Sequence, residues 1–281
     1  MEHIRLSTPE DIPALRGLWT LAFGDGGAYL DNFFDTYYKP ERMIVLEQDS
    51  EVRAMTAWFD TTFVVPGWGE YRAAYLYAVA THPDCRGQGL AGRLLAWADG
   101  YFQTQGIPAV TTVPAEPSLH NFFASNGFRE CFCHDEAFLS PCSQPAPLTL
   151  EPIPPETYAG LRETILQNSL HIHLPVEAVV YQAGCSAISG GGLYAAETGS
   201  GVAILCAEGM ADGRLLVKEL LGQSTACEEA AKFLHTLLPG FSGICRFPGR
   251  KTQFGMLKWL DKTLENQWDW DTTAYLGLAF D

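Results

Sequence analysis

Apolar positions along this chain fall into runs that alternate between a helical period and a strand period. Ile12, Leu15, Leu18, Trp19 and Ala22 share one face of a helix. Thr8-Pro9-Glu10-Asp11 supplies its start signal, with Thr as cap, Pro at the first position and acids in the first turn. His3–Leu6 reads as a strand before it, and Gly24, Gly26 and Gly27 break the helix after it. An aromatic-rich second helix is expected over Tyr29–Tyr38. Met43–Leu46 and Val52–Val65 read as antiparallel strands joined near Gln48-Asp49-Ser50. A turn at Pro66-Gly67-Trp68-Gly69 then leads to a strand over Tyr71–Ala80. Helical spacing resumes at Leu90, Leu94, Leu95 and Ala98 and ends at Gly106. Ile107–Val113 is the next strand, Ser118–Asn126 a short helix stopped by Gly127, and Phe128–Leu139 a long strand.

Ser140 to Pro147 holds three prolines in eight residues, which marks the expected domain boundary. Residues 1–143 and 148–281 are therefore read as two domains. The second half repeats the order of the first without a clear sequence repeat. Leu148–Ile153 reads as a strand, Pro155–Leu170 and Pro175–Cys185 as helices, and Leu193–Ala196, Val202–Ala207 and Leu215–Leu221 as strands. A helix over Thr225–Leu238, a strand over Gly243–Phe247, a short helix near Phe254–Leu260 and a final strand over Tyr275–Phe280 complete it.

The 281 residues, 47% hydrophobic and 18% charged, suit an ordinary globular protein of two domains. The formal net charge is -15. It is spread over both halves, with 9 basic against 18 acidic residues in 1–143 and 9 against 15 in 144–281. That balance argues against nucleic acid and against an anionic membrane surface as partners. Its plain reading is solubility; a sharper one is attraction of cationic amines. The stretch MEHIRLSTPEDIP has no apolar segment of a signal peptide, and no run of about 18 apolar residues could span a bilayer. Eight cysteines without a secretion signal point to reduced thiols in a cytoplasm.

The chemistry concentrates where the strand Tyr75–Ala80 gives way to Arg86-Gly87-Gln88-Gly89-Leu90-Ala91 and the helix behind it. Backbone N–H groups at a helix start lack partners and suit a phosphate. Gly87 and Gly89 allow close approach to the main chain, and Arg86 and Arg93 add positive charge. No Gly-Lys-Ser/Thr follows, so this is not a Walker loop. Gly87, Gly89 and Gly92 match G-x-G-x-x-G, yet no Asp or Glu occurs between Gly100 and Ala115 to hold a ribose. The stretch better resembles the coenzyme A pyrophosphate loop of the GNAT superfamily of N-acetyltransferases, R/Q-x-x-G-x-G/A, with Arg86, Gly89 and Ala91 at the defined positions. Val79-Ala80-Thr81-His82-Pro83 looks like the family's preceding strand, and Phe122-Phe123-Ala124-Ser125-Asn126-Gly127-Phe128 like its closing signature.

The resemblance implies an α+β fold, a mixed and mostly antiparallel sheet flanked by helices. A second, degenerate GNAT-like domain without a cofactor loop would follow, as in Eis-type and mycothiol-synthase-type tandem enzymes. It implies acetyl-CoA as co-substrate, no metal, and transfer of the acetyl group to a primary amine of a small molecule or peptide. The expected cofactor contacts are Ala78, Val79, Ala80, Arg86, Gly87, Gln88, Gly89, Leu90 and Ala91. The backbone of Val79 or Ala80 would steady the oxyanion. Many family members place Tyr four residues before the Gly-Phe glycine; here that position is Phe123, which has no proton to give. Water, or a neighbour such as His120 or Ser118, would protonate the thiolate instead. Glu116 is the first candidate for general base, and the C-terminal carboxylate of Asp281 a separate one on the Eis pattern. The rival class is an acyl-CoA-binding protein or regulator with little turnover. Cys131-Phe-Cys133-His134 and His171-Ile-His173 lack the four converging ligands that zinc needs. The acceptor and the oligomeric state stay open at this stage.

Overall fold

The computed structural model describes residues 2–139, 150–232 and 242–280. The proline-rich segment of the expected boundary, Asp281 and the later part of the expected helix over Thr225–Leu238 lie outside these residues.

The amino-terminal half follows its sequence signals closely. Strand β1 (Glu2–Leu6) leads to α1 (Ile12–Phe23) through a short turn of 3-10 helix at Pro9–Asp11. The Asp11 carboxylate accepts from the Thr8 backbone N–H at 2.7 Å, so the acid placed three residues into the helix start closes it. Gly24, at φ 77°, ends α1, and α2 (Gly27–Thr36) follows. Strands β2 (Met43–Gln48), β3 (Glu51–Val65) and β4 (Gly69–Thr81) then form antiparallel pairs. Helix α3 (Leu90–Thr104) buries Leu90, Leu94, Leu95, Ala98 and Phe102, the stripe its spacing predicts. It crosses to β5 (Ala109–Thr112), which pairs with β4 in parallel, and α4 (Pro117–Ser125) leads into β6 (Arg129–Leu139).

The second half supplies β7 (Glu151–Pro152), α5 (Pro155–Leu166), β8 (His171–His173), α6 (Val176–Ile188), β9 (Gly192–Thr198), β10 (Gly201–Gly209), β11 (Leu215–Leu221), α7 (Ser224–Ala231), β12 (Gly243–Pro248), β13 (Thr252–Trp259) and α8 (Lys262–Gln267). The strands of both halves join in one sheet, in the order β1-β2-β3-β4-β5-β13-β6-β12-β11-β10-β9-β7, with β8 added to β3. Strand β13 therefore lies between two strands of the first half.

Two expectations are corrected here. Phe254–Leu260 is not a helix but most of β13. Phe254, Met256, Leu257 and Trp259 are all buried, because both faces of this central strand are covered. A short run that is apolar on both sides carries no period by which to tell strand from helix. Tyr275–Phe280 is not a ladder strand either. It makes single bridges at Ala274 and Tyr275, and Gly277, at φ 77°, then turns the backbone out of strand geometry.

That terminal segment is pinned by a buried ion network. The Arg162 guanidinium, fully buried, donates to Glu219, to the Ile172 carbonyl at 2.8 Å and to the Leu276 carbonyl at 2.9 Å. Tyr158 donates to the same Glu219 carboxylate at 2.9 Å. A Cβ on Gly277 would lie 2.0 Å from Glu219 Oε1, so only glycine fits against the network. Held in this way, the chain delivers Phe280 onto the rings of Phe59 and Tyr75, with centroids 4.1 and 5.6 Å away.

Glu163 joins the network from α5, accepting from His171 and His173 at 3.0 Å each. Burial opposes its charge, but these two rings and Arg162 outweigh burial and hold its carboxyl far below the ordinary range. A depressed folded-state pKa stabilises fully above the unfolded value of about 4.3 and less as pH falls below it. The urea midpoint of the parent should therefore fall between pH 5 and pH 3. Glu163→Gln should show a lower midpoint at pH 7 and a flatter profile over that window.

Candidate active site

Strand β4 carries a defect that makes a cleft. Ala57 pairs with Tyr77 and Met55 with Ala80, so the register shifts between them, and Ala78 sits at φ 52°. A non-glycine residue there marks a bulge that bends the strand. Pairing of β4 with β5 has already ended at Leu76 and Thr112, and the two strands diverge beyond. The gap is a cavity of about 230 Å³, walled by Tyr75, Tyr77, Ala78, Val79, Thr112 and Phe123 among others. Neither Ala78 nor Val79 has a register partner on a neighbouring strand across the bulge.

The gap shares its Val79 and Phe123 walls with a larger cavity of about 700 Å³, lined also by Ala80, Arg86, Gly87, Gly89, Leu90, Ala91 and Gly92. Gly87 and Gly89 adopt φ 77° and 74°, a left-handed conformation that side chains disfavour. Gly89 is the N-cap of α3, and the first outward helical bond runs from Arg93 N–H to the Gly89 carbonyl. The N–H groups from Gly87 to Gly92 thus stand free of backbone acceptors among the described residues, at the positive end of the helix. An oxygen-rich anion such as a diphosphate fits this cradle by chemistry and by room. Arg86 is exposed at its rim, while Arg93 is turned away into a pair with Glu2 and a 3.0 Å bond to the Gln88 carbonyl. Of the two arginines, only Arg86 lines the cavity.

The expected contacts Ala78, Val79, Ala80, Arg86, Gly87, Gly89, Leu90 and Ala91 line these two neighbouring cavities; Gln88 lies in the same loop, with its side chain bonded back to the Asp84 carbonyl. Glu116, the exposed N-cap of α4, borders the larger cavity. His120 is instead bonded to Glu130 at 2.7 Å and lines neither. Phe123 is buried in the wall that both cavities share.

At its other end the gap meets a third cavity of about 90 Å³. Trp19, Asp25, Tyr77 and Phe280 wall both. Its remaining walls are Tyr29, Tyr181, Gln182, Cys185, Glu208 and Lys218, so it is built from both halves of the chain. Trp19 donates its indole N–H to Asp25 at 2.7 Å, which orients that carboxylate. The hydroxyls of Tyr77 and Tyr181 meet at 2.8 Å, and burial raises both far above the ordinary tyrosine range. Sequence reading missed Asp25, Tyr77, Tyr181, Gln182, Glu208 and Lys218. No spacing motif links them; they converge only when α6 packs on α2.

Residues 3–128 match the family model described as acetyltransferase (GNAT) domain. This chain carries a GNAT acetyltransferase domain. The chain is also similar over more than nine-tenths of its length to solved structures. A GCN5-related N-acetyltransferase from Anabaena variabilis is 16% identical with a TM-score of 0.71, covering 93% of this chain and 73% of that one. Eis1 from Mycobacterium abscessus is 13% identical with a TM-score of 0.66, covering 92% and 74%. At such identities the likeness shows the fold alone, a GNAT-like mixed sheet extending over both halves. No curated protein matches. The GNAT domain makes this an acyltransferase. Among the described residues no group of three His, Cys, Asp or Glu side chains could hold a metal ion, and no helix is long and apolar enough to cross a membrane.

Proposed function

We propose that this chain is an N-acetyltransferase that moves an acetyl group from acetyl-CoA to a primary amine by direct attack in a ternary complex. The observation that carries the reading is that three cavities share walls in series: glycine cradle, gap at the bulge, and polar pocket beyond. The coenzyme's diphosphate would take the N–H groups of 87–92, and its thioester the gap beside Ala78 and Val79. There the amine nitrogen attacks the carbonyl carbon, a C–N bond forms, the C–S bond breaks, and the thiolate leaves.

The amine must first lose a proton. Asp25 borders both the gap and the polar pocket, and its carboxylate is oriented by Trp19. We assign it the role of proton acceptor. Glu116 borders only the coenzyme side, and His120 is engaged by Glu130. Asp281, one residue beyond Phe280, stays a second candidate base, and unchanged turnover after its deletion would remove it. The thiolate, with an ordinary thiol pKa of about 8.5, departs without a strong acid. Water can protonate it where Phe123 cannot.

Residues 1–143 would hold catalysis and 148–281 would close the acceptor side. The seven described cysteines are all free, in keeping with a reducing cytoplasm. Phe123 favours the second reading, a coenzyme-binding protein with little turnover. Calorimetric titration with acetyl-CoA, followed by thiol release with a panel of primary amines, separates the two. Binding with turnover upholds the transferase. Binding with no turnover of any amine upholds the second reading, and no binding removes both.

A further inference from the structure

Resting on that reading, the acceptor side has one wall whose place is set from a distance. Phe280 lines both the gap and the polar pocket. Its ring meets Phe59, Tyr75 and Tyr77 of the first half and Tyr181 of the second, with centroids between 4.1 and 5.8 Å away. Its backbone N–H donates to the Tyr75 hydroxyl at 3.4 Å. Tyr75 stands on β4 just before the bulge at Ala78, so the terminal segment is tied to the strand that shapes the gap.

The turn at Gly277, φ 77°, takes the backbone out of strand geometry before it reaches Phe280. The segment is held instead by the buried ion network. Arg162 Nε donates to both Glu219 oxygens at 3.2 and 3.1 Å, Nη1 to the Ile172 carbonyl and Nη2 to the Leu276 carbonyl. One planar fork of donors thus fixes β11, β8 and the terminal segment relative to α5. Strand β8 is in turn paired with β3, so the frame is shared with the first half. A buried ion pair often stabilises no more than apolar packing of similar volume, so stability alone is a poor account of this one. None of Tyr158, Arg162, Glu219 and Gly277 lines any of the three cavities. Their route to the reacting groups runs through Phe280.

We infer that Arg162 and Glu219 are positioning residues of the transferase: through Leu276 and Gly277 they hold the Phe280 ring as the wall that decides which amines reach the thioester. The half that has no coenzyme loop governs acceptor choice in this way from outside the cavities.

Thiol release from acetyl-CoA by the full chain tests it, with n-propylamine as the compact amine and benzylamine as the bulky one. Phe280→Ala removes the ring and leaves the network whole. It should lower kcat/KM for n-propylamine about tenfold and raise the benzylamine to n-propylamine ratio by a similar factor, since the lost ring admits a larger group. Gly277→Ala displaces the segment, because its Cβ would lie 2.0 Å from Glu219 Oε1. Arg162→Lys keeps the charge and gives up the fork that also reaches the Leu276 carbonyl. Both should shift the amine ratio in the same direction as Phe280→Ala and leave the KM for acetyl-CoA at the parent's value. Combined with Phe280→Ala, neither should shift the ratio further, whereas independent effects would multiply. Circular dichroism establishes which variants are folded. Phe280→Ala is read even where the other two fail to fold, and an unchanged ratio in it overturns the inference. So do folded Gly277→Ala and Arg162→Lys proteins that keep the parent's ratio, or effects that multiply in the double variants. Coenzyme binding by the parent without turnover of any primary amine also overturns it and leaves the coenzyme site standing. Absence of coenzyme binding instead overturns the proposed function itself.

Discussion

Gly89→Val should lower the affinity for acetyl-CoA at least a hundredfold. Gly89 sits at φ 74° as the N-cap of α3. A β-branched residue is strained there by about 1–3 kcal/mol, and relief of the strain would swing the following N–H groups out of alignment. Hydrogen bonds to a charged partner contribute about 1.5–3 kcal/mol each, so loss of two already exceeds a hundredfold. The buried stripe Leu90, Leu94 and Leu95 still packs α3 on the sheet, so the circular dichroism of the variant should match the parent's. Calorimetry reads the affinity directly, and a variant that binds as the parent does would show that the cradle grips nothing. Arg86→Glu should have a smaller effect, because Arg86 is exposed at the rim and its charge is screened by salt.

Asp25→Asn should lower kcat by about 10²–10⁴, the usual worth of a positioned general base. Asparagine keeps the carbonyl oxygen that accepts from Trp19, so the wall should hold its shape while the proton acceptor is gone. The KM for acetyl-CoA should change little, since Asp25 lies outside the glycine cradle. Steady-state kinetics over pH supply the second readout: the rate of the variant should keep rising with pH as the free amine fraction grows. A loss in kcat smaller than tenfold would remove Asp25 from the role. A larger loss in Glu116→Gln than in Asp25→Asn would return it to the coenzyme side.

Most of the amino-terminal half was legible because its signals are local. Thr8 to Asp11 start a helix, Leu90 to Phe102 stripe one, and Gly87 with Gly89 announce a backbone that side chains disfavour. The segment Phe254–Leu260 resisted because a strand buried on both faces looks like any short apolar run. Tyr275–Phe280 resisted for another reason. Its course is set by Arg162, Glu219 and Gly277, which are far apart in sequence except for Gly277 itself.

The sequence by itself determined the order of elements in the first half and the glycine loop at the head of α3. These depend on caps, periodicity and backbone freedom, which act within a few residues of one another. Only the tertiary structure decided that β13 completes the first half's sheet, that Phe280 enters the cleft, and that Asp25 lines one cavity with Gln182, Glu208 and Lys218. Those outcomes depend on packing between segments more than 100 residues apart, as Asn32 on α2 shows by donating to the Tyr181 carbonyl on α6 across 149 positions at 2.9 Å. No local pattern encodes which helix will cover which face; burial of the shared aromatic core does.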